Sequence, residues 1–227
     1  MAFEGGMQLT ISVNDAQLVQ KTAEMARATG RTIAEQSRAT MKGILKYIIT
    51  YTPPASAKAQ GKAAQGAGQV AIVRDMKKLF YAVDFKGERT EKYPDPHALH
   101  RQAFAGGGKM VAPTRRYHVD RAKLTALKTT LQRNVGLLAS GWAPAAQTLD
   151  IPIPAWIARW SGSGRGTDLI TRQQATKLTL EVTNHIPTEA GVIAAQLRRL
   201  VDFAKRAQLN SMIRQLPYIL NRALREH

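Results

Sequence analysis

The 227-residue chain contains no cysteine. That absence removes disulfides, thiolate zinc sites and cysteine nucleophiles together, and it suits a chain made in a reducing cytoplasm. Aromatic residues are scarce, at 6%, so a core has to be built from Ala, Leu, Ile, Val and Met; the apolar total of 44% suffices for one. No run of about 18 apolar residues occurs, so no transmembrane helix is expected. The opening MAFEGGMQLT has an acid and two glycines where a secretory signal would carry basic and then apolar residues, which predicts a soluble, non-secreted protein.

Acids are also few. Sixteen Asp and Glu face 33 Lys and Arg, for a formal charge of +17. The imbalance is local: six basic residues and no acid lie between Gln36 and Arg74, and eight basic residues face Asp120 alone between Pro96 and Leu149. Such a field attracts polyanions and gives affinity through phosphate contacts. Lys58, Lys62, Arg74, Arg115, Arg116, Arg121 and Lys123 are the candidate polyanion-facing residues. Aromatics are not interleaved with these patches in the sequence, so contact to phosphates rather than base stacking is expected.

What is present reads as α+β and mostly helical, with long N- and C-terminal helices and a small sheet of short strands. MQLTISV alternates and predicts a strand. A helical pattern runs from Asn14 or Asp15 to Tyr51, weakened at Gly43 and at Gly30, near which it can break, and ended by Pro53-Pro54. A strip rich in Gly, Ala and Lys follows, either a plain linker or an interaction segment, and a second helix is expected over 67–83, ending as an extended piece. Residues 86–116 read as a loop, 121–141 as a helix, 177–183 as a strand, and the chain from Thr188 as a long amphipathic helix that Pro217 kinks or restarts. The expectation is a single domain, 1–227, with mobile loops at about 54–68, 86–116 and 161–168.

No catalytic constellation stands out. There is no close carboxylate pair for acid–base work and no nucleophile elbow among the serines. AGGGKM lacks the spacing and the following Ser/Thr of a phosphate loop. His97, His100 and His118, with Asp95, are the residues a metal would use, but no fixed ligand spacing accompanies them. No enzyme activity, metal or other cofactor is expected. Trp142, Trp156 and Trp160 are read either as packing anchors or as interface anchors between subunits.

Three stretches carry a resemblance. A long helix leads into Tyr51-Thr52-Pro53-Pro54-Ala55 and then a Gly/Ala/Lys-rich strip; VGLLASGW (Val135 to Trp142) is followed by PAWIARW (Pro154 to Trp160); and VTNHIP (Val182 to Pro187) precedes the last helix. Together they resemble the head–tail joining and tail-completion, or tail-terminator-like, minor virion proteins of tailed double-stranded DNA bacteriophages. The resemblance implies a non-catalytic structural protein, made in the bacterial host cytoplasm and placed in the virion neck or tail. It would form a homo-oligomer, contact other neck or tail proteins, and stand near the DNA channel without membrane contact. A sequence-nonspecific duplex-DNA-binding protein is the alternative.

Overall fold

The computed structural model describes residues 9–12, 15–52, 62–84, 93–105, 115–160, 166, 170–174, 177–184, 191–223 and 225. It is α+β and mostly helical, with the long terminal helices and short strands expected from the sequence.

The predicted first helix is two helices. α1 (Ala16–Thr29) begins at Asp15, whose carboxylate accepts from the backbone of Gln17 and Leu18. It stops at Gly30, which adopts φ +66°, the left-handed conformation that glycine enters at least cost. α2 (Ile33–Tyr51) restarts at once. Thr32 accepts from Glu35 N–H at 3.2 Å while the Glu35 carboxylate accepts from Thr32 N–H at 2.9 Å, a reciprocal cap. The two helices fold back on each other, with the Thr22 and Thr40 hydroxyls 3.3 Å apart.

α9 (Gly191–Ala223) completes a three-helix bundle and runs antiparallel to α2. Thr40 lies against Met212, while Tyr47 and Tyr51 meet Phe203 edge to face, so α2 numbers rise as α9 numbers fall. Met41, Ile44, Leu45, Ile48 and Ile49 of α2 are buried at three- and four-residue spacing. Each buried side chain of this size stabilises by about 1.5–3 kcal/mol. α9 continues through Pro217 although that residue supplies no backbone donor, because Leu216 and Ile219 on either side pack on the core.

A three-stranded antiparallel sheet accompanies the bundle in the order β1–β5–β4. Its strands are β1 (Leu9–Ser12), β4 (Ile170–Gln174) and β5 (Lys177–Asn184). Central β5 buries Leu180 and Val182 on one face, in register with Thr171 and Ile11. β4 was not foreseen: ITRQQ is an edge strand with a single apolar residue, so it lacks the alternation that marks a half-buried strand.

A second core lies elsewhere in the chain. α3 (Lys62–Leu79) runs directly into β2 (Phe80–Val83), and β3 (Tyr117–Asp120) runs directly into α5 (Arg121–Arg133). The two strands pair in parallel, Phe80 beside Tyr117 and Tyr81 beside His118. Met76, Leu79, Phe80, Val119 and Leu127 form this core, and Ile72 packs against both it and the bundle core.

The structure corrects several expectations. Residues 62–68 of the expected mobile strip belong to α3, and the expected 86–116 loop contains α4 (Pro96–Ala105) and leads into β3. Leu99 and Ala103 of α4, four apart, pack on the second core, a two-residue stripe too short to register as periodic. The rest of the three expected loops lies outside the described residues, save 93–95, 115–116 and Gly166, which bridges to Asn184. The expected 121–141 helix ends at Arg133, and the chain turns at Gly136 (φ +95°) into three short helices, α6 (Leu137–Ser140), α7 (Ala143–Thr148) and α8 (Ala155–Ala158).

Candidate polyanion-binding face

α3 has two unlike sides. Ala64, Met76 and Leu79 are buried, and Ile72 packs between the cores. On the other side Gly66, then Gln69 and Val70, Val73 and Arg74, and Lys77 and Lys78 recur turn by turn at i, i+3 and i+4 and line an open cleft of about 660 Å³ with Arg116 and Gln132. Val70 is 68% exposed on it. The stripe is small and apolar at its start and cationic at its end.

The charges on this face are unevenly compensated. Asp75 pairs with Arg74 at 3.1 Å and approaches Lys78 at 3.7 Å. Lys77 and Arg116 have no ion-pair partner among the described residues. Exposed pairs such as those of Asp75 are weak and leave both cations open to a competing phosphate. A second depression of about 280 Å³ adjoins the first and shares Lys77 with it, adding Arg121 and Lys128.

Arg121 behaves differently from its sequence neighbours. Its guanidinium grips both carboxylate oxygens of Asp84, at 2.8 Å for one of the two bonds, joining the end of β2 to the first turn of α5. The hydrogen bonds from Arg121 hold the Asp84 carboxyl below the ordinary range and raise the guanidinium in turn. Arg121 is paired with Asp84 by two hydrogen bonds, but both side chains are well exposed, so like the Asp75 pairs this one leaves the guanidinium open to a competing phosphate.

The predicted basic residues thus separate. Arg74 and Arg116 come together in one cleft, though 42 positions apart in the sequence. Arg115 is exposed beside Arg116, and Lys123 is exposed on the first turn of α5, lining neither depression. Lys62 opens α3, and Lys58 lies outside the described residues. Sequence reasoning did not single out Lys77, Lys78 and Lys128. The signal for the first two was the helical step through Val70, Arg74 and Lys78 and through Val73 and Lys77, which lies within the helix expected over 67–83.

The tryptophans belong to the interior and its margin. Trp142 is 0% exposed and Trp156 9% exposed, both in the bundle core, so neither offers a surface to a neighbouring subunit. Trp160 is partly buried beneath the Arg159 guanidinium, 5.3 Å from its ring centre. That guanidinium also donates to the carbonyls of Arg133 and Val135, tying α8 to the end of α5.

Among the described residues no three His, Asp or Glu side chains converge as a metal site requires. His97 and His100 lie on α4 and His118 on β3. No helix among them is long and apolar enough to cross a membrane. Compared with protein-family models, with curated proteins and with solved structures, the chain has no match.

Proposed function

We propose that this chain is a structural protein of a tailed-phage virion, acting in head–tail joining or tail completion, whose α3–α5 lobe faces the phosphates of duplex DNA. The cationic strip of Arg74, Lys77, Lys78 and Arg116 carries the DNA-facing part of this reading. The cleft is open and cationic, which suits a backbone that runs past better than a small substrate that must be enclosed. The resemblance of the three motif stretches supplies the virion setting. In that setting the protein turns over no substrate and works by assembling with copies of itself and with neck or tail neighbours.

A second reading, sequence-nonspecific duplex-DNA binding as the main function, rests on the same strip and needs no assembly. Native mass by light scattering, at low and high salt and with and without duplex DNA, separates the two. A closed oligomer of defined size in the absence of DNA is the expected result. A monomer that gains mass only with DNA, and loses it in salt, overturns the assembly reading in favour of the second.

A further inference from the structure

The strand alternation of β2 places Phe80 in the second core and turns Tyr81 outward, where it is 55% exposed. Tyr81 stands beside His118 on the paired strand, ring centres 5.4 Å apart at an interplanar angle of 62°. Tyr81 takes no part in either hydrophobic core. It lines the smaller depression together with Lys77, Arg121 and Lys128, over an apolar floor that includes Val73 and Leu124. Neither Lys77 nor Lys128 has an ion-pair partner among the described residues, whereas Arg121 is engaged by Asp84. The fold therefore adds His118 and Lys128 to the Tyr81 and Lys77 that already stand four residues apart in the sequence.

We propose that the Tyr81–His118 face, flanked by Lys77 and Lys128, is a binding site for single-stranded nucleic acid. An unpaired base stacks on the Tyr81 ring while the adjoining phosphates meet the two lysines. A duplex cannot use the ring, because its bases already cover one another, and an acidic peptide would use the lysines but not the ring. The site goes beyond duplex contact and does not depend on the virion reading. Lys77 belongs to both depressions, so a strand leaving Tyr81 passes directly to Arg74 and Arg116.

The test is fluorescence anisotropy with a labelled oligothymidylate and with a duplex of equal length, at matched salt. Wild type, Tyr81→Ala, Tyr81→Phe and the double variant Lys77→Ala/Lys128→Ala are compared. Tyr81→Ala is expected to weaken single-strand binding roughly 5- to 150-fold while leaving duplex binding within about twofold, and Tyr81→Phe to retain it. The lysine variant is expected to weaken both ligands and to flatten the salt dependence, by about 1.4 in slope for the single strand. Tyr81 is exposed, so its variants are expected to keep the wild-type melting temperature. Absent oligothymidylate binding, or equal loss of both ligands on Tyr81→Ala, overturns the proposal. Wild-type protein that binds the duplex but not oligothymidylate leaves the duplex-facing reading standing and overturns this one, and wild-type protein that binds oligothymidylate but not the duplex does the reverse.

Discussion

Gly136 and Gly30 both adopt positive φ, and their replacement by alanine separates two costs that usually arrive together. At Gly30 a Cβ would meet nothing within 4 Å, so Gly30→Ala costs only the conformational strain, about 1–2 kcal/mol. At Gly136 a Cβ would fall 2.6 Å from Trp156 Cε3 and 2.8 Å from the Trp156 carbonyl oxygen. The ring is buried, and a backbone carbonyl cannot swing aside as the end of a long side chain would. Overpacking of this kind adds about 1–3 kcal/mol, for a total of about 2–5 kcal/mol. In a chain of this length the melting temperature is expected to fall by about 4–20 °C for Gly136→Ala and about 2–8 °C for Gly30→Ala.

The assay can be made local. All three tryptophans lie between Trp142 and Trp160, so intrinsic fluorescence reports this region, while circular dichroism reports the helices as a whole. Urea titrations of both variants, read by both probes, should show the larger shift for Gly136→Ala. They should also show an early red shift of the tryptophan emission confined to that variant. Equal costs at the two positions, within about 0.5 kcal/mol, would refute the claim that close approach of Trp156 dictates glycine at 136.

Thr32→Ala removes the reciprocal cap of α2 and is expected to cost about 0.5–2 kcal/mol in a urea titration, with Thr32→Ser restoring most of it. Asp84→Asn removes the carboxylate that Arg121 holds below its ordinary value of 3.8. A carboxyl with a depressed folded-state pKa stabilises above that ordinary value, and its contribution is lost as pH falls through the folded-state pKa. The stability difference between wild type and Asp84→Asn, followed by urea midpoints from pH 7 downward, is therefore expected to be present at neutral pH, to shrink with salt, to begin falling near pH 3.8 and to vanish only below the lower folded-state pKa. The same variant releases Arg121, and duplex affinity measured by anisotropy is expected to rise.

Long elements with strong periodicity were legible. The α2 stripe, the β5 alternation and the C-terminal helix follow from spacing alone, since burial of one face sets their pattern. The break at Gly30 needed more than propensity, because a mid-helix glycine costs only about 1 kcal/mol and is often tolerated. Asp15 and the Thr32–Glu35 box, read together, would have marked two starts. β3 escaped notice because YHVD shows four residues of a strand whose only buried apolar side chain is Val119. α4 was hidden for a similar reason, carrying only a short inward stripe between glycine- and proline-rich flanks.

The candidate face was legible only as charge. Single basic residues could be counted, but which of them share a surface depends on the packing of α3 on α5 and the pairing of β2 with β3, which no local pattern encodes. Two of the three stretches that carried the resemblance, in their described residues, are packing determinants of one region. Gly136 lies against Trp156, Gly141 lies against Asn184, and the Asn184 amide donates to the Leu138 carbonyl at 2.9 Å. VGLLASGW, PAWIARW and VTN thus meet in space, where small residues and an amide are required by close approach. Their spacing records how this segment packs, whereas the polyanion-facing residues need only be cationic and exposed, a weaker demand that leaves no motif. A resemblance built on the first set therefore speaks to how the chain packs, and the second set has to be tested by charge reversal and salt on its own terms.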